Sequence, residues 1–210
     1  MATVEKVHKI KADAQKRSKQ RVTTKDELAA NAITALSELG YARTGLRDIA
    51  TLSGRSVGAL TYYFDDKNDL ISYCVRLYKE EFVGQIDSAM NSHSLNSSSD
   101  VIEAVTSAFA WAIEHDAQKH RLWYDIRSQS LFEEAFRPVV REIEDQLIAM
   151  VVRILTQLGR PIENRQATYF LLDGLFRVHL QAALEGDDQA PKNLKAAMCA
   201  VLDSTAMMED

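Results

Sequence analysis

Arg47, Arg55, Ser56, Thr61, Tyr62 and Tyr63 put guanidinium and hydroxyl donors into a 17-residue run that also holds Val57, Gly58 and Ala59. Hydroxyls and cations of this kind position a protein on phosphate oxygens. Val57, Ala59 and the Thr61 methyl are suited to thymine methyls, and Arg47 and Arg55 are the side chains here able to read a base edge bidentately. Gly58 permits close approach of the backbone to a ligand. The chemistry is recognition of a nucleic acid rather than bond-making. No Gly-rich phosphate loop and no nucleophile elbow occur in the chain. His115 and His120 are five apart, a poor metal spacing on a helix. No catalytic residue, metal or cofactor is assigned.

These residues need a rigid element to present them. Leu46, Ile49, Ala50 and Leu52 form the apolar face of one short helix, and Val57, Leu60, Tyr62 and Phe64 fall in a second. Gly54 suits the left-handed residue that ends the first, and Ser56 the cap that opens the next. Two helices of under three turns joined by a Gly-containing turn read as a helix-turn-helix, whose second helix enters the major groove. Leu60 and Phe64 repeat at i, i+4 and point into a small three-helix core. Upstream, Thr24-Lys25-Asp26-Glu27 is a capping-box pattern with Thr24 as its first residue. The helix it opens carries Leu28, Ala32, Ile33, Leu36 and Leu39, and Gly40 ends it. Thr44 is read as the cap of the following helix.

Asp48-Ile49-Ala50, Ser53 through Leu60, Tyr62-Tyr63-Phe64 and Lys67 resemble the DNA-binding domain of tetracycline-repressor-like regulators, the TetR family. The resemblance covers roughly residues 25–72. Arg55 stands where a small apolar residue is usual, Thr61 where Tyr is common and Tyr63 where His is common. The resemblance implies that Thr44 and the helix it opens hold a DNA phosphate, and that Lys67 meets another. Asp66 caps the helix that begins at Lys67, and a phosphate nearby would explain a Lys at the positive end of a helix dipole.

With 46% hydrophobic and 26% charged residues the chain has an ordinary globular composition. Three prolines, eight glycines and little strand-like alternation favour an all-α fold. Charge is segregated. Residues 1–72 hold twelve Lys/Arg against nine Asp/Glu, and the remainder thirteen against twenty-one. Positive charge is needed only where a phosphate backbone runs. Cys74 and Cys199 lie far apart in helical patterns and read as free thiols. No long uncharged apolar run is present, which places the protein in the cytoplasm and off the membrane. The expected organisation is a basic extension over residues 1–23, a three-helix helix-turn-helix domain over 24–72, and a C-terminal helical domain over 73–210 for effector binding and dimerisation. The basic extension reads either as a solvated tail or as an arm on DNA.

Beyond residue 100 the periodicity gives five further helical segments, two of them 101–113 and 122–131. Trp111, His115, Trp123, Tyr124, Arg127, Phe132, Phe136 and Phe170 are the candidate lining of an effector pocket, apolar with a few polar groups. The run Arg121–Arg127 is faintly similar to a subgroup that includes betaine-pathway regulators. Aromatic cages hold quaternary ammonium, but the run assigns no ligand. The helix over 162–184 is apolar nearly all round, so more than one side is covered. Leu171, Gly174, Leu175, Val178 and Ala182, with Leu194, Ala197, Met198 and Val201 on the last helix, form the candidate homodimer face of a four-helix bundle. The reading is a ligand-responsive DNA-binding regulator, a repressor with a palindromic operator and a small-molecule effector. The alternatives are a helical interaction module without DNA binding and a motif-poor all-α enzyme.

Overall fold

A computed structural model describes residues 22–92 and 95–204, and the regular structure of these residues is entirely helical. Most of the basic extension lies outside the described residues. The chain divides into two compact units between Leu77 and Tyr78. The break falls inside a single helix, which contributes residues to both.

The first unit opens with α1, residues 22–39. Leu28, Ala29, Ala32, Ile33 and Leu36 are buried on one face of it, following the helical repeat. Val22 and Thr23 are already helical, so Thr24 is not the cap and the Thr-x-x-Glu pattern lies inside the first turns. A capping residue must stand outside the helix it closes. Gly40 ends α1 with φ at 74°. α2 (Leu46–Leu52) and α3 (Val57–Tyr63) follow. Ile49, Ala50, Leu60 and Phe64 join the core, whereas Leu52 is exposed.

The turn between α2 and α3 shows why Arg55 is accommodated. Gly54 sits at φ 64°. Its N–H donates to the Thr51 carbonyl at 3.2 Å, and the Arg55 N–H reaches the Ala50 carbonyl at 2.8 Å. This is the paired closure of a Schellman motif. It uses only the backbone of Arg55, and the side chain is exposed. The first half of α4 (Lys67–Met90) completes the unit with Leu70, Ile71, Cys74 and Val75. Cys74 donates to the Ala29 carbonyl, and burial pushes its thiol pKa up.

The second unit holds the rest of α4 and four further helices. α5 (Ser98–Gln129) is one helix with a kink at Asp116, where φ is −121° and ψ 18°. The two segments expected from periodicity are thus the two arms of a bent helix. A 3-10 turn (Glu134–Phe136) leads into α6 (Arg137–Gln157), with Pro138 in its first turn as its missing N–H allows. α7 (Arg165–Leu184) and α8 (Ala190–Ser204) complete the unit. α8 packs on α5 and α7, and α7 also packs on α5 and α6. Cys74 is buried, Cys199 half-buried, and both thiols are free.

Candidate nucleic-acid interface and effector cavity

Ser56 opens α3, its Oγ accepting the Ala59 N–H at 3.1 Å. That cap fixes the helix with Leu60 inward and leaves Val57, Gly58, Thr61 and Tyr62 exposed at i, i+1, i+4 and i+5 on one face. Arg47, Arg55 and Ser56 are exposed beside them in sequence, and Ala59 and Tyr63 are half-buried. The Thr61 hydroxyl donates to the Val57 carbonyl at 3.2 Å, so its polar end is turned back on its own helix. Tyr62 and Tyr63 meet edge to face at 4.9 Å. A Cβ on Gly58 would come no nearer to another atom than 4.0 Å, from the Ser56 Oγ. The space above Gly58 is open.

One of the residues singled out from sequence is placed differently from expectation. Thr44 is buried, and its hydroxyl donates to the Gly40 carbonyl, closing α1 rather than opening α2. The residue before α2 is Gly45, whose N–H is taken by the Asp48 carboxylate at 2.8 Å. Lys67 has an internal explanation. Its Nζ donates to the Tyr41 carbonyl at 2.7 Å and lies 4.0 Å from the centre of the Tyr41 ring. Asp66 caps α4 as expected, its carboxylate accepting the Asp69 N–H at 2.8 Å.

The second unit contains a partly enclosed cavity of about 30 Å³, room for one or two water molecules. α4 lines it with Lys79 and Phe82, and α5 with Phe109, Trp123 and Tyr124. α6 supplies Leu147, Met150 and Val151, and α7 Tyr169, Leu172, Asp173 and Phe176. Of the eight residues expected here, Trp123 and Tyr124 are in the lining. Arg127 is held beside it, donating to Asp173 at 2.7 Å and to Glu144 at 2.8 Å. Tyr124 donates to the same Asp173 carboxylate at 2.9 Å. The other five lie elsewhere. Phe136 is fully buried in the core, and Phe132 and Phe170 are exposed. Trp111 is exposed with the His115 ring stacked on it, 4.5 Å between centres. Aromatic content alone does not say which face of a helix a ring occupies.

What sequence reading missed at the cavity is its charge. Lys79 is 3% exposed, and its Nζ lies 3.4 Å from His120 Nδ1. The rings of Phe82, Trp123 and Tyr78 surround that ammonium at 5.0, 5.2 and 5.5 Å. Burial lowers the Lys79 pKa to about 7, against a smaller pull upward from Asp173. His120 is fully buried between the edges of Tyr78, Phe82 and Phe176, and burial holds its pKa well below the usual value. The signal was present in the sequence. Lys79 falls four residues after buried Val75 and three before Phe82, on the apolar stripe of α4, and Asp173 is the one acidic residue in the otherwise apolar run Ala167–Phe176.

The candidate dimer residues divide. Leu194 and Met198 are wholly buried within the chain's own core. α8 uses that side to pack on α5 and α7, which corrects their assignment to a partner surface. Leu171 and Val178 are 56% and 58% exposed, and Gly174 is exposed between them. Leu175, Ala182, Ala197 and Val201 are half-buried.

Residues 28–74 match the family described as bacterial regulatory proteins, tetR family. A probable HTH-type transcriptional regulator, YttP of Bacillus subtilis (strain 168), is 27% identical over 77 residues, a match that spans 37% of this chain and 37% of that protein. Among solved structures, a putative transcriptional regulator from Pseudomonas aeruginosa PAO1 superposes with a TM-score of 0.72 at 20% identity, covering 88% of this chain and 90% of that one. The transcriptional regulator FadR from Bacillus subtilis, solved in complex with stearoyl-CoA, gives 0.66 at 17% identity, covering 85% and 96%. These likenesses extend the shared fold through the second unit. Among the described residues no helix is long and apolar enough to cross a membrane. With the helix-turn-helix geometry of residues 44–67 and the match over residues 28–74, the first unit carries the domain described for bacterial regulatory proteins of the tetR family.

Proposed function

We propose that the chain is a homodimeric transcriptional repressor that binds a two-fold operator through α3 and leaves it when a small molecule enters the cavity of the second unit. The observation that carries the reading is the exposed face of α3, where Val57, Gly58, Thr61 and Tyr62 present small, apolar and hydroxyl groups and no acid. A major groove accepts such a helix closely. Two copies are needed to reach two half-sites. The stripe Leu171, Gly174, Leu175, Val178 and Ala182, with Ala197 and Val201, is the surface that supports pairing. Exposed Phe170 extends it. Apolar side chains this exposed on adjacent turns are commonly covered by a partner.

The proposed mechanism is a shift between two states. Operator DNA favours one spacing of the two α3 helices and the effector another, with α4 the element that has residues in both units. Coupling is reciprocal, so the operator weakens effector binding by the same factor as the effector weakens operator binding.

The test is retention of the DNA upstream of the chain's own gene in a shift assay against heparin, with sedimentation in parallel. Specific retention by a dimer is expected. A protein that is monomeric at micromolar concentration, or loses the duplex to heparin at once, rules the reading out. A Val178→Arg chain is expected to sediment as a monomer and to bind the operator at least tenfold more weakly.

Charge adds a second expectation. Residues 22–72 hold five Lys/Arg against seven Asp/Glu, whereas residues 1–21 hold seven against two. The positive balance of the DNA-binding part therefore resides in the extension, which favours its reading as an arm on DNA. Deleting residues 1–20 is expected to weaken operator binding and to flatten its dependence on salt, by roughly 0.9 in logarithmic slope for each phosphate that the arm neutralises. An unchanged slope would remove the arm from DNA.

A further inference from the structure

We infer that the effector of this chain is a small amphipathic monocarboxylate, its carboxylate held by Lys79, Trp123 and Tyr169 and its apolar body by the aromatic wall of the cavity. The inference rests on reading the cavity as the effector site and goes further by naming the ligand's chemistry. It stands on the donors left over. The Trp123 Nε1 and the Tyr169 hydroxyl are buried, belong to cavity-lining residues and have no hydrogen-bond partner. Lys79 forms no ion pair with a described carboxylate, and its sole polar contact among the described residues is His120 Nδ1. A charged ammonium only donates, so Nδ1 accepts and the His120 proton sits on Nε2, a further buried donor without a partner. Each such group costs folding energy while unsatisfied. The shortage is of acceptors. A carboxylate brings two oxygens, roughly four acceptor positions and the compensating charge.

The same geometry argues against a quaternary ammonium. The aromatic cage that would receive one already surrounds an amine of the chain, with ring centres 5.0 to 5.5 Å from Lys79 Nζ. The carboxylate in the lining, Asp173, is already paired with Arg127 and Tyr124. The present cavity of about 30 Å³ is well below the several hundred Å³ of a drug-sized site. Occupancy therefore requires its walls to part, and Lys79 and Phe82 place α4 among those walls.

Binding is expected to depend on pH in one direction. The titratable groups around Lys79 and its neighbours include Tyr78 and Glu81 on α4, Asp116, Lys119, His120, Tyr124 and Arg127 on α5, Glu144 on α6, and Tyr169 and Asp173 on α7. Burial raises the tyrosines above their usual range and lowers His120 below its own. Lys79 is left to change charge near neutrality. A carboxylate is ionised throughout this range and prefers the protonated lysine, so affinity falls as pH rises above about 7, by up to tenfold per unit.

The experiment is calorimetric titration of the full-length chain with benzoate, phenylacetate and hexanoate, beside benzamide and benzyltrimethylammonium, at pH 6.5 and 8.5. Operator release by each compound is measured in parallel. At least one carboxylate is expected to bind tenfold or more tightly than benzamide, to weaken at the higher pH and to release the operator. Lys79→Met is expected to lower that affinity at least tenfold and to remove its pH dependence, and Trp123→Phe to lower it several-fold. Equal binding of benzoate and benzamide, preference for the ammonium, or no binding by any carboxylate overturns the inference. Release of the operator by benzyltrimethylammonium or benzamide, unaffected by Lys79→Met, overturns it while leaving the effector reading in place.

Discussion

Lys79→Met should stabilise the second unit at neutral pH and cancel most of the rise of its stability with pH. The sign follows from burial. Lys79 is 3% exposed, with its folded pKa lowered to about 7 from 10.5. Between those values the unfolded chain holds a proton that the folded chain has released, so stability grows as pH climbs from 7 toward 10.5. Below about pH 7 the lysine is charged in both states, and the full desolvation cost is present. His120 acts in the same direction lower down. Its folded pKa lies well below 6.5, so the unfolded chain takes up a proton first and stability declines as pH drops through 6.5. Above about pH 9 the buried Tyr78 and Tyr124, both with raised pKa, reverse the trend, because they ionise first in the unfolded chain.

The window for Lys79 is thus pH 7 to 9, with a slope of up to about 1.4 kcal/mol per pH unit. Methionine fills a similar volume without a charge. It forfeits the contacts of the ammonium with the rings of Phe82 and Trp123, each worth roughly 0.5–2 kcal/mol. It also removes the burial cost that brings the lysine pKa from 10.5 down to about 7, and the second effect is the larger. Both tryptophans lie in this unit, so their fluorescence in urea reports its unfolding. The variant should be more stable than the parent by a few kcal/mol at pH 6.5, with the gap narrowing toward pH 9. Parallel pH profiles for the two proteins would show that Lys79 is not the group responsible.

That a chain keeps an amine where methionine is more stable needs a reason other than stability. Buried charges lacking a close partner cost folding energy, and His120, Trp123 and Tyr169 leave further donors unsatisfied around the same space. Four costs of one chemical kind converging on one cavity are expected of a site whose missing partner arrives from outside. Asp173, the acid in the cavity lining, does not relieve them because Arg127 and Tyr124 hold it.

How much of this was legible in the sequence depends on how local each determinant is. The turns were readable because they are backbone events. Gly40, Gly54, Gly159 and Gly186 all end helices at positive φ. Ser56 and Asp66 cap α3 and α4 as their types demand. Thr44 was misread because its hydroxyl had two carbonyl and amide ends within reach, and only the three-dimensional turn shows that the Gly40 carbonyl takes it. The bend at Asp116 is not marked by Gly or Pro, so a single kinked helix looked like two. Packing direction was the least legible. Leu194 and Met198 share a helix with Ala197 and Val201, yet the first pair faces the chain's own core and the second is half-buried. Periodicity finds the apolar face of a helix without saying whether the cover comes from the same chain. For the cavity, charges are a better guide than rings. Lys79 and Asp173 interrupt apolar stripes, and that interruption marked the site more sharply than Trp111 or Phe132, both exposed.

Gly58→Leu should cost at least a hundredfold in operator affinity while leaving the fold slightly more stable. Glycine inside a helix is about 1 kcal/mol worse than alanine, and leucine is nearly as good a helix former as alanine. A Cβ at this exposed position meets nothing closer than the Ser56 Oγ at 4.0 Å, which leaves a larger side chain free to extend outward. The consequence is confined to what approaches from outside. Gly58 lies between Val57 and Thr61 on the exposed face of α3. A four-carbon side chain there holds the helix off the base edges and the flanking phosphates together. Breaking even two such interactions at about 1–3 kcal/mol each accounts for the expected factor. The substitution is a cleaner probe than alanine at Thr44, because Thr44 is buried and its hydroxyl closes α1, so its removal disturbs the fold as well as any phosphate. Fluorescence anisotropy on the gene's own upstream duplex, with urea unfolding of the same preparation, separates the two effects. Should the leucine variant be as stable as the parent and hold that duplex equally well, α3 is not the helix that enters the groove.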